Sequence, residues 1–192
     1  MTALTLNLHP VAQLTEKAFK ALCAANPDAK LERAATGELI IMSPTGGETG
    51  RRNLNISMQL GLWNQQVGLG VAFDSSTMFQ LPNGAFRSPD AAWIELSRWE
   101  TLTPEEREGF CPLCPDFVIE LRSPSDSLKT LREKMNEYID NGTQLGWLID
   151  PKTKQVEIYG PGTSPQILDS PQTVYNDSVL PNFQLKLNTI LT

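Results

Sequence analysis

The stretch from Pro115 to Asp150 constrains the fold of this chain more than any other part. It reads PDFVIELRSP, then a charged amphipathic segment, then LGWLID. Asp116–Leu121 is close to a continuous apolar run of strand length, the pattern of a strand buried in a central sheet. From Ser127 to Ile139 the residues Leu128, Leu131, Met135 and Tyr138 recur at helical spacing, and Asn141-Gly142 supplies a stop signal. Leu145–Ile149 is a second apolar run, and Asp150-Pro151-Lys152-Thr153 turns it into Gln155–Tyr159. Strand, helix, strand in that order predicts a crossover unit inside a mixed sheet, and so an α/β fold.

The remaining segments fit around that unit. Thr15–Ala25 predicts a short helix ended by Asn26-Pro27, and Lys30–Ala34 with Leu39–Met42 predicts a hairpin about Thr36-Gly37. A longer helix is expected from about Glu48 to Gln66, closed by Gly68. Val71–Phe73, Thr77–Gln80 and Asp90–Glu95 read as short strands, and the stretch from Ser97 to Cys114 as irregular with one helical turn at Pro104-Glu105-Glu106. At 192 residues the chain is expected to form one domain over 1–192, with its core at about 39–159.

No apolar run approaches the roughly 20 residues a membrane helix needs, and the N-terminal sequence lacks the basic-then-apolar pattern of a signal peptide. Three cysteines, an odd number without an export signal, favour a reducing cytoplasm. Cys111-x-x-Cys114 has only His9 for company, too few ligands for a zinc site, and reads as a pair of loop cysteines between prolines. The balance of 16 basic and 22 acidic residues, a net charge of −6, argues against a broadly basic phosphate-binding surface. A local patch survives that objection, because exposed charges are screened over about 8–10 Å. Arg51, Arg52, Lys129 and Arg132 are candidates for it, each with solvation as the plainer alternative. The four tryptophans, Trp63, Trp93, Trp99 and Trp147, read as core or interface.

Chemistry enters through charges placed where burial is expected. Glu120 and Arg122 lie two apart in and just after the apolar run, so their side chains share one face of a strand. A buried charge costs several kcal/mol unless it is paired or bound to a metal. Ser88-Pro89-Asp90 opens another apolar run and supplies a second carboxylate. If the two strands are adjacent, Asp90, Glu120 and the backbone carbonyl of Leu121 form a hard oxygen site suited to Mg²⁺ with retained waters. Glu48 begins the long helix, where the dipole also favours a carboxylate. Lys134 flanks the apolar stripe of the amphipathic helix, so its stem can lie on the sheet while its ammonium reaches the site. The structural alternatives are a turn cap for Asp90, an ion pair for Glu120 and Arg122, a solvated flank for Lys134 and a first-turn charge for Glu48. Asp116 repeats the Pro-Asp pair but reads as a strand-entry residue, too close to Glu120 in one strand to replace Asp90.

Pro89-Asp90, Glu120-Leu121-Arg122 and a helix carrying Lys134 together resemble the PD-(D/E)xK nuclease superfamily. Within it, PDFVIELRSPSD…LREKMNEYIDNG…GWLIDPKTKQVEIY is similar to the Uma family of restriction endonucleases, over about Leu39 to Tyr159. The resemblance implies a restriction-endonuclease-like core, a mixed β-sheet flanked by helices with a metal site at its edge. It implies an Mg²⁺-dependent (or Mn²⁺-dependent) endonuclease acting on DNA, with Asp90, Glu120 and the Leu121 carbonyl as metal ligands and Glu48 as a helix-borne auxiliary carboxylate. The motif's usual lysine is here Arg122, which stays protonated and is no general base. Lys134 is the matching helix-borne lysine for the water-activating role. The alternative is a catalytically impaired module on the same scaffold that binds nucleic acid or protein. Nucleases of this kind often work as dimers, which makes a homodimer an expectation, with Trp99 and the 97–114 segment as a contact surface.

Overall fold

In a computed structural model, residues 3–9 and 12–192 are described; the opening of the stretch read for an export signal lies outside them. The chain begins with β1 (Leu4–Leu6), helix α1 (Glu16–Ala25) and the strands β2 (Leu31–Arg33) and β3 (Leu39–Ile41). Helix α2 (Gly47–Val67) leads to β4 (Gly70–Asp74), β5 (Phe79–Gln80), β6 (Phe86–Arg87) and β7 (Ala91–Glu95). Two short helices, α3 (Leu96–Trp99) and α4 (Pro104–Glu108), precede β8 (Phe117–Leu121), α5 (Leu128–Asp140) and β9 (Leu145–Asp150). The strands β10 (Gln155–Tyr159), β11 (Gln166–Asp169), β12 (Thr173–Tyr175) and β13 (Gln184–Lys186) complete it.

These elements form the expected mixed α/β architecture. The main sheet has the order β11-β10-β9-β8-β7-β4, a five-stranded sheet has the order β1-β3-β2-β6-β5, and β12 pairs with β13. The crossover is present: β8 and β9 lie parallel with Glu120 opposite Leu148, while β7 and β8 run antiparallel with Ala91 opposite Ile119. Local chemistry sets the helix ends. Thr15 accepts from the Ala18 N–H and Ser127 from the Thr130 N–H, and α2 stops where Gly68 turns left-handed at φ 65°.

Alternation along β8 divides the core into two layers. Phe117, Ile119 and Leu121 face Ile56, Leu60 and Trp63 of α2, in a cluster that also takes in Trp147 and Phe183. Val118 faces the other way, toward Met135 and Tyr138 of α5. Burial of each large side chain of this kind stabilises by about 1.5–3 kcal/mol. Gly146 of β9 makes room for Met135, since a Cβ on it would sit 2.4 Å from the methyl end of that side chain and force it to shift. Packing reaches beyond residues 39–159: Val174, Leu180, Phe183, Leu185, Leu187 and Ile190 all belong to the α2-side core. At the other end, β2 carries three buried residues, Leu31, Glu32 and Arg33.

The joint between the two large sheets is where charged side chains become buried. The chain leaves the small sheet at Arg87 and enters the main sheet at Ala91, so Ser88-Pro89-Asp90 forms the seam. Side chains from β2, β8 and α5 meet there.

Candidate active site

Asp90 stands at the seam, where β7 begins. Its Oδ2 accepts from the Leu121 N–H at 2.8 Å and its Oδ1 from the Asn53 amide of α2 at 2.8 Å. The β7–β8 register, which puts Ala91 opposite Ile119, brings Glu120 to the same place. In an extended strand the N–H and C=O of one residue point to the same side, so the Leu121 carbonyl turns toward Asp90 as well.

Glu120 is 4% exposed and lies on the α5 side of the sheet. Two groups from consecutive turns of α5 act on its Oε1: the Lys134 ammonium at 2.8 Å and the Tyr138 hydroxyl, which donates at 3.0 Å. Residues four apart share a helix face, which is why one helix supplies both. Lys134 also reaches Glu32 Oε1 at 3.0 Å, bridging the two sheets. Glu32 further accepts from the Ser88 N–H at 2.9 Å and from Arg87 at 3.2 Å, and Arg87 turns its other side to Glu137 at 2.6 Å. A network therefore joins three carboxylates, Glu120, Glu32 and Glu137, to two cations, Lys134 and Arg87, with Asp90 beside Glu120.

Carboxylates outnumber the two cations in that set, and the proton affinities of Asp90 and Glu120 register the excess. Burial pushes the Glu120 carboxyl up to about 7, and the charges of Asp90 and Glu32 add to the effect against the pull of Lys134. Burial also raises Asp90, opposed by the Leu121 N–H and by Lys134 and Lys30. Glu32 shows the reverse balance: burial opposes ionisation, but Lys134, Arg87 and the Ser88 N–H together hold its carboxyl below the usual range. Burial would discharge Lys134, yet Glu120 and Glu32 raise it above an ordinary lysine. Tyr138 is raised well above the normal phenol range by burial and by the Glu120 charge, so it stays a donor. At neutral pH Lys134 is a fixed cation, unsuited to accept a proton from water.

Asp90, Glu120, Leu121 and Lys134, all expected at the site from sequence, thus come together in one place. Arg122 is elsewhere: its guanidinium bonds Asp150 at 2.7 Å and the Asp126 carbonyl at 3.2 Å, across the end of β9. It shares a strand face with Glu120 but not a partner. Glu48 is 67% exposed and bonds Arg51 and Arg52, away from the carboxylates. Its position in the first turn of α2 points it to solvent, so the helix-borne group that reaches Asp90 is Asn53. Arg51 and Arg52 also bond the carbonyls of Thr189 and Thr192, and Arg132 bonds Glu157, so these basic residues hold the fold together. Asp116 is a strand-entry residue as expected, accepting from Arg98 at 2.5 Å and from the Glu95 N–H at 2.9 Å.

Two groups, Glu32 and Arg87, carry no plain signal in the sequence. Glu32 and Arg87 sit on short hairpin strands, where charged residues ordinarily face water, and nothing local marks them. Asn53 leaves a legible sign. The buried residues of α2 are Thr49, Ile56, Leu60 and Trp63, and Asn53 falls on that stripe as a polar interruption. Tyr138 lies on the apolar stripe of α5 as its spacing predicts, which is correct for its ring and silent about its hydroxyl.

One half-buried carboxylate, one buried carboxylate and a lysine thus meet at the seam between the two large sheets. The family model described as "Uma2: Putative restriction endonuclease" matches residues 17–188, and the chain belongs to that family. Among solved structures, "a putative nuclease belonging to DUF820" from Anabaena variabilis ATCC 29413 is similar, with a TM-score of 0.71 at 22% identity. That likeness covers 84% of this chain and 89% of the other, and it establishes the fold. No curated protein matches the chain in sequence. No helix among the described residues is long and apolar enough to cross a membrane.

Proposed function

We propose that this protein is a divalent-metal-dependent endonuclease that hydrolyses DNA phosphodiester bonds, using Mg²⁺ or Mn²⁺. Family membership supports a nuclease-type activity. The observation that carries the metal is the charge deficit: half-buried Asp90 and buried Glu120 lie close together, both with raised proton affinity. A dication between them would offset the repulsion that each carboxylate exerts on the other, which the single Lys134 ammonium does not remove. No three His, Cys, Asp or Glu side chains converge as a ligand set among the described residues. Mg²⁺ fits that count, because it binds through one or two carboxylates and keeps several waters. Asp90, Glu120 and the Leu121 carbonyl would hold it.

Bound there, the ion would supply Lewis acidity toward a phosphoryl oxygen and would lower the pKa of an attacking water. The chain's own residues orient and neutralise. Tyr138 and Lys134 fix Glu120 through Oε1, which leaves Oε2, to which neither donates, for the cation. Lys134, locked between Glu32 and Glu120, adds a permanent positive charge that favours developing negative charge nearby. Arg122 keeps Asp150 and the end of β9 in place.

The second reading, a catalytically impaired module that binds nucleic acid or protein, draws on one observation: Arg122 and Lys134 are both committed as cations. Cleavage of supercoiled plasmid with Mg²⁺ or Mn²⁺ separates the two. The nuclease nicks the plasmid, and Asp90→Asn and Glu120→Gln abolish nicking while keeping the wild-type circular dichroism. A folded wild type that binds no Mn²⁺ and cuts nothing is the impaired module.

A further inference from the structure

The geometry points to Asn53 as a metal ligand: its Oδ1 is a third side-chain oxygen, contributed by α2, for the cation held by Asp90 and Glu120. The assignment rests on the metal-dependent reading above and extends its site to a residue outside the Pro-Asp and Glu-Leu-Arg motifs. Three buried side-chain polar atoms lack a hydrogen-bond partner among the described residues, and Asn53 Oδ1 is the one acceptor; the others are Arg52 Nε and Trp147 Nε1. A buried carbonyl oxygen without a donor is uncommon in native proteins and calls for a ligand or an ion.

Its orientation is set by its neighbour. The Asn53 Nδ2 donates to Asp90 Oδ1 at 2.8 Å. The flipped amide would press its oxygen against the same carboxylate, which an ionised Asp90 repels, and ionised is the form a cation requires. The oxygen is about 2.3 Å from its own nitrogen by amide geometry, so it lies within about 5 Å of Asp90 Oδ1. Two oxygens bound to one Mg²⁺ at about 2.1 Å are at most about 4.2 Å apart, a difference that a small turn of the side chain covers. Asn53 also sits on the buried stripe of α2, one turn before Ile56, so the helix packing that fixes Ile56 and Leu60 fixes it too. An amide adds a hard oxygen without adding charge, which suits a site where carboxylates already crowd one another.

Titration of the full chain with Mn²⁺ by calorimetry, together with Eu³⁺ luminescence lifetimes in H₂O and D₂O, tests this. Asn53→Ala is expected to weaken Mn²⁺ binding at least tenfold and to add one water to the bound Eu³⁺, because a vacated oxygen position is filled by solvent. Asn53→Asp is expected to return the water count to that of the wild type and to bind Mn²⁺ at least as tightly. A wild type that binds Mn²⁺ beside an Asn53→Ala variant of equal affinity and equal water count overturns the assignment alone. A weakened affinity with an unchanged water count also overturns it, since Asn53 then only positions Asp90. A wild type that binds neither ion removes the metal-dependent reading and this assignment together.

Discussion

Replacing Lys134 by Met keeps an unbranched side chain, one atom shorter, and the helix propensity of α5 but removes the charge that bridges two buried carboxylates. Glu32 retains Arg87 and the Ser88 N–H, whereas Glu120 is left with the Tyr138 hydroxyl as its named donor. Breaking a buried pair by removing one partner costs about 3–5 kcal/mol. Glu120 can soften that cost by taking up a proton, so about 3 kcal/mol is expected at pH 7. The folded-state value of Glu120 already lies at about 7, above the ordinary 4.5, and loss of the ammonium moves it higher. Between the two folded-state values the variant keeps a proton that the wild type has released. The gap in stability therefore widens as pH rises above 7, by up to about 1.4 kcal/mol per unit. Urea unfolding in EDTA at pH 6, 7 and 8 measures it, and Lys134→Met with Glu120→Gln should recover about 1–2 kcal/mol over the single variant at pH 8. A single variant within about 1 kcal/mol of wild type, or a gap that stays constant across those pH values, would refute the network as described.

Four further outcomes are expected. Arg122→Met should cost about 1–3 kcal/mol in thermal unfolding, because Asp150 is buried, and leave Mn²⁺ affinity unchanged; lost affinity would move Arg122 into the site. Glu48→Ala should leave both plasmid nicking and the melting temperature at wild-type values, since among the described residues its ion pairs are with Arg51 and Arg52 of its own helix, at the surface. Phe183→Ala should destabilise by about 3–5 kcal/mol in urea, a measure of how far the C-terminal segment belongs to the core. Gly146→Ala should cost about 1–3 kcal/mol through the 2.4 Å approach to Met135, and Met135→Ala on the same background should restore part of it.

The chain's local patterns carried much of the architecture. The helices at Thr15–Ala25, about Glu48–Gln66 and Ser127–Ile139, the hairpin about Gly37 and the parallel pair joined by α5 follow from spacing and stop signals, and all are present within a residue or two. The segment after Tyr159 was not legible, because its strands are short and exposed on one side. Their contribution comes from isolated residues such as Val174 and Leu185.

The candidate site divides along the same line. Asp90, Glu120 and Lys134 announce themselves because each breaks or flanks an apolar pattern that the sequence makes visible. Arg122 announces itself in the same way, yet binds Asp150, because sharing a strand face does not decide which neighbouring strand end supplies the partner. Glu48 and Asn53 lie on one helix, and only the docking of α2 decides which of them meets Asp90. Glu32 meets Lys134 across 102 positions of chain and two different sheets. By itself, then, the sequence determined the class of fold and those charged residues that interrupt or flank an apolar pattern, since both follow from periodicity within one element. Which of those residues meet was decided only by the tertiary structure. Pairing of buried charges depends on distances of about 3 Å between elements, and no periodicity within an element encodes them.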